Sequence, residues 1–154
     1  MNPEELRDHI EIVQLISRYG NCLDRGEFDE LAALFTEDGE FHIDPSPGID
    51  SPLRGRNEIR SSIEERWRVM NAVEQRRHVM SNIEVTRLSG DTAEARTTLT
   101  IFAAERDIGK AVRLHGLGVY ADTLQRDGES WLFRERRLSV DRRDYFAPGW
   151  VSAE

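Results

Sequence analysis

Between residues 3 and 25 the apolar positions recur at steps of three and four: Leu6, Ile10, Val13, Ile16, Gly20 and Leu23, widened by Ile12, Leu15 and Tyr19. That spacing predicts an amphipathic helix. Asn2 suits its N-cap, Pro3 its first position, Glu4 and Glu5 the positive end of its dipole, and Gly26 its stop. A second, short helix is predicted through Phe28, Leu31, Ala32 and Phe35, stopped by Thr36–Gly39. A short strand follows at Gly39–Asp44, with Phe41 and Ile43 on one face. Pro45, Pro47, Gly48 and Pro52 then predict an irregular loop. A third helix is expected over residues 57–70, with Ile59, Ile63, Trp67 and Met70 as its apolar stripe and Arg60, Glu64, Glu65 and Arg68 on a solvated face.

After residue 74 the period changes to two. Strands are predicted over about 76–88, 92–106, 110–125 and 130–144, broken by Ser89-Gly90-Asp91, Asp107-Ile108-Gly109 and Arg126-Asp127-Gly128. Long strands joined by short turns pair antiparallel. The expected fold class is therefore α+β: a cone-shaped α+β barrel, three N-terminal helices packed in a curved mixed, mostly antiparallel sheet. Such a cone has an apolar interior suited to a small hydrophobic molecule. The 154 residues form one domain.

Charge narrows the partners. There are 21 Lys and Arg against 29 Asp and Glu, a net −8, and an acidic chain repels phosphate backbones. No nucleic-acid partner is expected. No apolar run approaches the roughly 18 residues of a membrane span, and the acidic N-terminus lacks a signal-like apolar stretch. Cys22 stands alone, so the chain forms no internal disulfide and is expected in the cytoplasm. No glycine-rich phosphate loop or nucleophile elbow is present, and no cofactor is expected.

Several residues carry chemistry. Asp24 ends the first helix, where a carboxylate meets the negative end of the dipole and needs compensation. It either orients an imidazole or is a turn carboxylate paired with Arg25. His78 opens the first long strand and could act as base and then acid. Its parity differs from that of Ile83 and Val85, so a bulge between 78 and 83 is needed if all three point inward. His115 shares parity with Leu117, Val119 and Ala121, which places it on an apolar face, and Gly116 and Gly118 suggest curvature or room for a ligand. Tyr19 is either a core residue or a donor to a substrate oxygen. His42 and Asp44 are expected in solvent or at a pocket mouth, His9 on the surface, and Cys22 as a small buried residue. Asp24, His78 and His115 also make a two-His, one-carboxylate set, but their spacing matches no compact metal motif and no metal is expected. On the last strand, if Trp131 faces the core, Arg134 and Arg136 lie on the other side; one of the local arginines could bind a substrate carboxylate.

Three stretches carry a family resemblance: Tyr19 to Leu31 with Leu34 to Gly39, Arg76-Arg77-His78-Val-Met-Ser-Asn82, and His115 sixteen residues before Trp131. Over about residues 5–146 the chain resembles the SnoaL-like branch of the nuclear transport factor 2-like, or cystatin-like cone, superfamily. Within it, the scytalone dehydratase and bile-acid 7α-dehydratase families are similar at these positions. The resemblance implies an acid–base site of Asp24 and His78, with Tyr19 matching a tyrosine of the bile-acid enzymes and His115 a second histidine of scytalone dehydratase. Leu23 departs from scytalone dehydratase, which has tyrosine there, so neither substrate is carried over.

The expected function is a cofactor-independent lyase of dehydratase type, or an isomerase, acting by His–Asp acid–base catalysis on a small hydrophobic cyclic hydroxy-carbonyl compound. The alternative is a non-catalytic scaffold similar to the small subunit of aromatic-ring-hydroxylating dioxygenases, or a binding module. The convex sheet face needs cover, so a homodimer or homotrimer is expected. The tail from Tyr145 to Trp150 is expected over the pocket mouth or a neighbouring subunit, or without order.

Overall fold

The structure, a computed structural model, describes residues 1–44, 51–107 and 109–141. The expectations for the loop at Pro45, Pro47 and Gly48, for Ile108, for Arg142 and Arg143, and for the aromatic tail lie outside these residues.

The first helix, α1 (Pro3–Arg25), begins where the Asn2 side chain accepts from the Glu5 N–H at 2.9 Å and Glu5 reciprocates. This capping box satisfies two backbone donors that the helix cannot pair itself. Gly26 ends the helix at φ 71°, a left-handed conformation that glycine adopts without strain. The buried face differs in part from the sequence reading. Ile12, Leu15, Ile16, Tyr19 and Leu23 are buried, together with Asp8, whereas Leu6, Ile10 and Val13 are exposed. Asp8 is drawn in by two partners from the sheet: Trp131 Nε1 donates to it at 3.1 Å, and Arg126 pairs with it.

Helix α2 (Phe28–Ala33) is shorter than predicted, and Phe35 begins strand β1 (Phe35–Asp44) instead of closing the helix. Strand β2 (Leu53–Arg54), absent from the sequence reading, pairs with β1 and leads into α3 (Gly55–Val73). Four strands follow: β3 (Glu74–Ser89), β4 (Thr92–Glu105), β5 (Arg113–Asp127) and β6 (Ser130–Val140). The sheet order is β2-β1-β6-β5-β4-β3, with β1 parallel to β6 and the other neighbours antiparallel. The sheet is mixed and mostly antiparallel, curved rather than closed, and the three helices complete an α+β cone.

Curvature comes from irregular pairing. β4 alternates without interruption, burying Ala93, Ala95, Thr97, Leu99, Ile101 and Ala103. Its neighbours do not. β3 shifts register between Ser81 and Glu84, where Asn82 has φ 49°, and again around Thr86. β5 shifts at His115, the extra residue between Leu114 and Gly116, and β6 shifts at Arg134. Each bulge bends its strand and reverses which parity faces inward. α1 packs against β3 and β6, and α3 against β1, β2 and β3, closing the concave side.

Candidate active site

Asp24 occupies the last turn of α1 and His78 an inward position of β3. The bulge at Asn82 supplies the parity change that lets His78 point inward together with Ile83 and Val85. Nδ1 of His78 lies 2.6 Å from Oδ1 of Asp24, and the His78 backbone N–H donates to the same carboxylate at 3.0 and 3.2 Å. These donors compensate a carboxylate placed against the negative end of the helix dipole. Gln75 Nε2 donates to the Asp24 carbonyl at 3.0 Å, satisfying one acceptor that the helix end leaves open. Both side chains are nearly closed off, at 1% exposure for His78 and 8% for Asp24. A carboxylate only accepts, so Nδ1 carries a proton, and in the neutral ring the lone pair is on Nε2.

His78 also lines a small cavity of about 30 Å³, open in part to solvent. Its walls are apolar, from Leu23, Phe41, Ile43, Ile63, Leu99 and Ile101. The polar groups among its described walls are His78, Tyr19, Tyr120, Ser62, Arg66 and Trp67. The Trp67 ring lies 6.0 Å from the His78 imidazole.

Tyr19 is buried in the core and reaches this cavity. Its ring stands edge-on to Phe35, Phe41, Tyr120 and Phe133. Burial pushes the Tyr19 phenol well above its ordinary range and the Tyr120 phenol up to about 12, and the two hydroxyls are hydrogen-bonded. Both phenols therefore stay protonated as donors across the neutral range.

Beneath them lies Arg136. The expectation that Arg136 faces away from the core is overturned: the bulge at Arg134 reverses parity, so Trp131, Phe133 and Arg136 all point inward. Its guanidinium Cζ stacks 3.7 Å over Tyr120, 4.2 Å over Tyr19 and 4.4 Å over Phe133. Asp122 sits 3.6 Å away, equally buried, and burial raises its carboxyl to about 6 against the opposing pull of Arg136.

His115 is not on the face the sequence assigned to it. Leu117 and Val119 are exposed at 41% and 40%, while Tyr120, Asp122 and Leu124 are buried. Standing at a bulge, His115 is freed from that alternation. It does not line the cavity. Arg113 Nη1 lies 2.5 Å from its Nδ1, and Arg113 also holds Glu74 at 2.5 Å, which in turn pairs with buried Arg76. Arginine only donates, so Nδ1 of His115 accepts and Nε2 carries the proton. Burial, with Arg76, Arg113 and His78 nearby, lowers its pKa to about 3, so the ring is neutral. Gly118 serves close packing, not a ligand: a Cβ there would meet the Ser139 carbonyl oxygen at 2.7 Å.

Among the described residues, the cluster with metal-ligand spacing is Glu40, His42 and Glu135, on the outer face of β1 and β6. Arg54 and Arg137 already pair with its carboxylates. Asp24, His78 and His115 do not form such a set. Cys22 is buried, as expected, and Asp44 is exposed. Sequence reasoning missed Tyr120 and Arg66, and it named Arg136 but on the wrong side of the sheet. Tyr120 shares parity with Gly116 and Gly118, a signal hidden by the bulky apolar residues of the opposite face.

A helix-lined cone whose cavity holds a histidine oriented by a buried carboxylate defines a class of small cone-fold proteins built around a pocket. The SnoaL-like domain family matches residues 4–137, and the chain belongs to that family. It is similar to a nuclear transport factor 2-like protein with a cystatin-like fold from Novosphingobium aromaticivorans, at 28% identity, covering 90% of this chain and 84% of that one, with a TM-score of 0.78. It is also similar to ActVI-ORFA from Streptomyces coelicolor, at 26% identity, 91% and 98% coverage and a TM-score of 0.76. A protein described as a candidate scytalone dehydratase, from Novosphingobium aromaticivorans, shares 24% identity over 92% of this chain and 89% of that one, with a TM-score of 0.75, a likeness of fold. Comparison with curated proteins finds no match.

Proposed function

We propose that the protein is a cofactor-independent lyase of dehydratase type, or an isomerase, acting on a small hydrophobic cyclic hydroxy-carbonyl compound. The observation that carries this reading is the 2.6 Å contact between Asp24 and Nδ1 of His78, on a histidine that also faces an apolar cavity. Nε2 removes the proton from the carbon next to the carbonyl. The imidazolium, steadied by Asp24, then returns it, either to the departing hydroxyl, which leaves as water, or to a different carbon. Tyr19, with Tyr120 beside it, donates to the oxygen that gains charge. His115 stays outside the cavity, a neutral member of the polar cluster it forms with Arg113, Glu74 and Arg76. A catalytically silent scaffold would have no use for such a dyad.

The test is turnover of a panel of cyclic β-hydroxy ketones, followed by the ultraviolet absorbance of the conjugated product or by proton exchange at the α-carbon. Asp24→Asn and His78→Gln are each expected to lower the rate by about 10²–10⁴-fold without lowering the melting temperature to match. Full turnover in either variant overturns the mechanism.

We also propose that the chain forms a homodimer or homotrimer through the convex face of β3, β4 and β5. Val79, Phe102, Leu114, Leu117 and Val119 are exposed there at 40–56%, and their strands are in register, with Phe102 opposite Leu114. Light scattering on the purified chain is expected to give two or three copies, and Leu117→Glu to shift it to one. A monomer at micromolar concentration in the unsubstituted chain rejects the assembly.

A further inference from the structure

Arg136 of β6 puts a permanent positive charge into the core, with no exposure to solvent. Its counter-charge, Asp122 of β5, is equally buried and stands 3.6 Å from Nε, beyond hydrogen-bond reach. Such a pair is a poor device for stability, because apolar side chains of similar volume fill the same space about as well. What the guanidinium touches suggests another use. Its Cζ lies 3.7 Å from the Tyr120 ring centroid and 4.2 Å from that of Tyr19. Both tyrosines line the cavity that His78 lines, and Arg136 is not among its described walls. The charge therefore reaches the cavity through the two phenols. A cation on the face of a phenol ring favours the phenolate, which makes the hydroxyl a stronger donor. Burial weakens the screening that would blunt this effect. On both phenols burial is the largest influence and raises the pKa; against it, the downward pull of Arg136 exceeds the upward push of Asp122. The cavity adds two further charged or titratable groups among its described walls, Arg66 of α3 and His78 of β3.

We propose that Arg136 is a positioning residue for the reaction: through the rings of Tyr19 and Tyr120 it strengthens their hydroxyls as donors to the oxygen that gains charge, and Asp122 sets how far. The proposal rests on the lyase or isomerase reading of the site and deepens it. Neither phenol gives up its proton. The tyrosines polarise the substrate oxygen, and His78 moves the proton.

The experiment labels the full chain with 3-fluorotyrosine, assigns the Tyr120 signal with Tyr120→Phe, and follows its alkaline titration by fluorine nuclear magnetic resonance while the far-ultraviolet spectrum stays folded. Fluorine lowers the phenol pKa and so brings Tyr120, at about 12 without it, within reach. Three chains are compared: the unsubstituted one, Asp122→Asn, which leaves the cation unopposed, and Arg136→Met/Asp122→Leu, which removes both charges. Tyr120 is expected to titrate earliest in Asp122→Asn and latest in the double variant, whose ionisation constant falls by about tenfold against the unsubstituted chain. Turnover of a cyclic β-hydroxy ketone is expected to follow the same order in kcat, about tenfold lower in the double variant with KM little changed, and higher in Asp122→Asn. A pair that only held the core together would lower kcat in both. Equal titration in the three chains, or no titration of Tyr120 before alkaline unfolding, overturns the proposal. The expected titration order with equal kcat in all three also overturns it and leaves the His78–Asp24 mechanism standing. Absence of turnover in every chain, with the titration order present, rejects the lyase or isomerase reading and supports the polarisation of the phenols. Where the double variant unfolds, Asp122→Asn decides: earlier titration with higher kcat supports the proposal, and later titration or lower kcat rejects it.

Discussion

Gly20 of α1 lies directly against His78 of β3. A Cβ built on Gly20 would stand 3.2 Å from the His78 carbonyl oxygen, 3.3 Å from the His78 Cβ and 3.1 Å from the Met80 methyl. The missing side chain lets helix and strand approach closely, one turn before Asp24 reaches the imidazole. Gly20→Ala gains about 1 kcal/mol of helix propensity and loses a comparable amount to crowding, so its unfolding free energy should change little. Gly20→Val adds branches that the backbone of β3 cannot yield to, and should cost about 1–3 kcal/mol. In both, the nuclear magnetic resonance signal of the His78 Nδ1 proton should move or broaden. An unchanged signal in Gly20→Val would show that the close approach does not set the dyad.

Acid sensitivity should trace in part to His115. Its folded pKa is lowered to about 3 from an ordinary 6.5, so below about pH 6.5 the unfolded chain takes up a proton that the folded chain refuses. The stability this group contributes is complete above about 6.5 and is lost as pH falls toward 3. Asp122 tilts the balance the other way: its carboxyl is raised to about 6, so its contribution falls as pH rises from about 4 to 6. Urea midpoints at pH 7, 5.5 and 4.5 should therefore fall less steeply with acid in His115→Gln than in the unsubstituted protein. Parallel slopes would assign the acid limb to other groups.

The buried pair under the tyrosines sets a test of coupling. Removing either charge leaves the other uncompensated in the core, a loss of about 3–5 kcal/mol. Asp122→Leu and Arg136→Met are each expected to destabilise by that order, and the double variant by less than either. Denaturant unfolding measures all three. Additive losses would mean that the aromatic stacking of Arg136, not its partnership with Asp122, supports the core.

Much of this arrangement was legible along the chain. The capping signals around Asn2, Pro3 and Gly26 placed α1 to the residue, because helix ends are decided by a few local hydrogen bonds and one left-handed backbone position. Period-two patterning placed the four long strands to within a few residues, and the joint positions of Asp24 and His78 followed from the family resemblance. Short β2 was not legible, since two residues carry no period.

The sequence by itself determined the three helices and the long strands, apart from the end of α2, the start of β1 and the whole of β2, and which side chains can carry protons. The tertiary structure alone decided which way they face. Alternation predicts a face only while a strand is unbroken, and bulges at Asn82, His115 and Arg134 each reverse it. One turned His78 toward Asp24, one took His115 off the face of Leu117 and Val119, and one drove Arg136 into the core. A bulge is fixed by the pairing of distant strands around a curved sheet, so it arises from contacts that local periodicity does not contain.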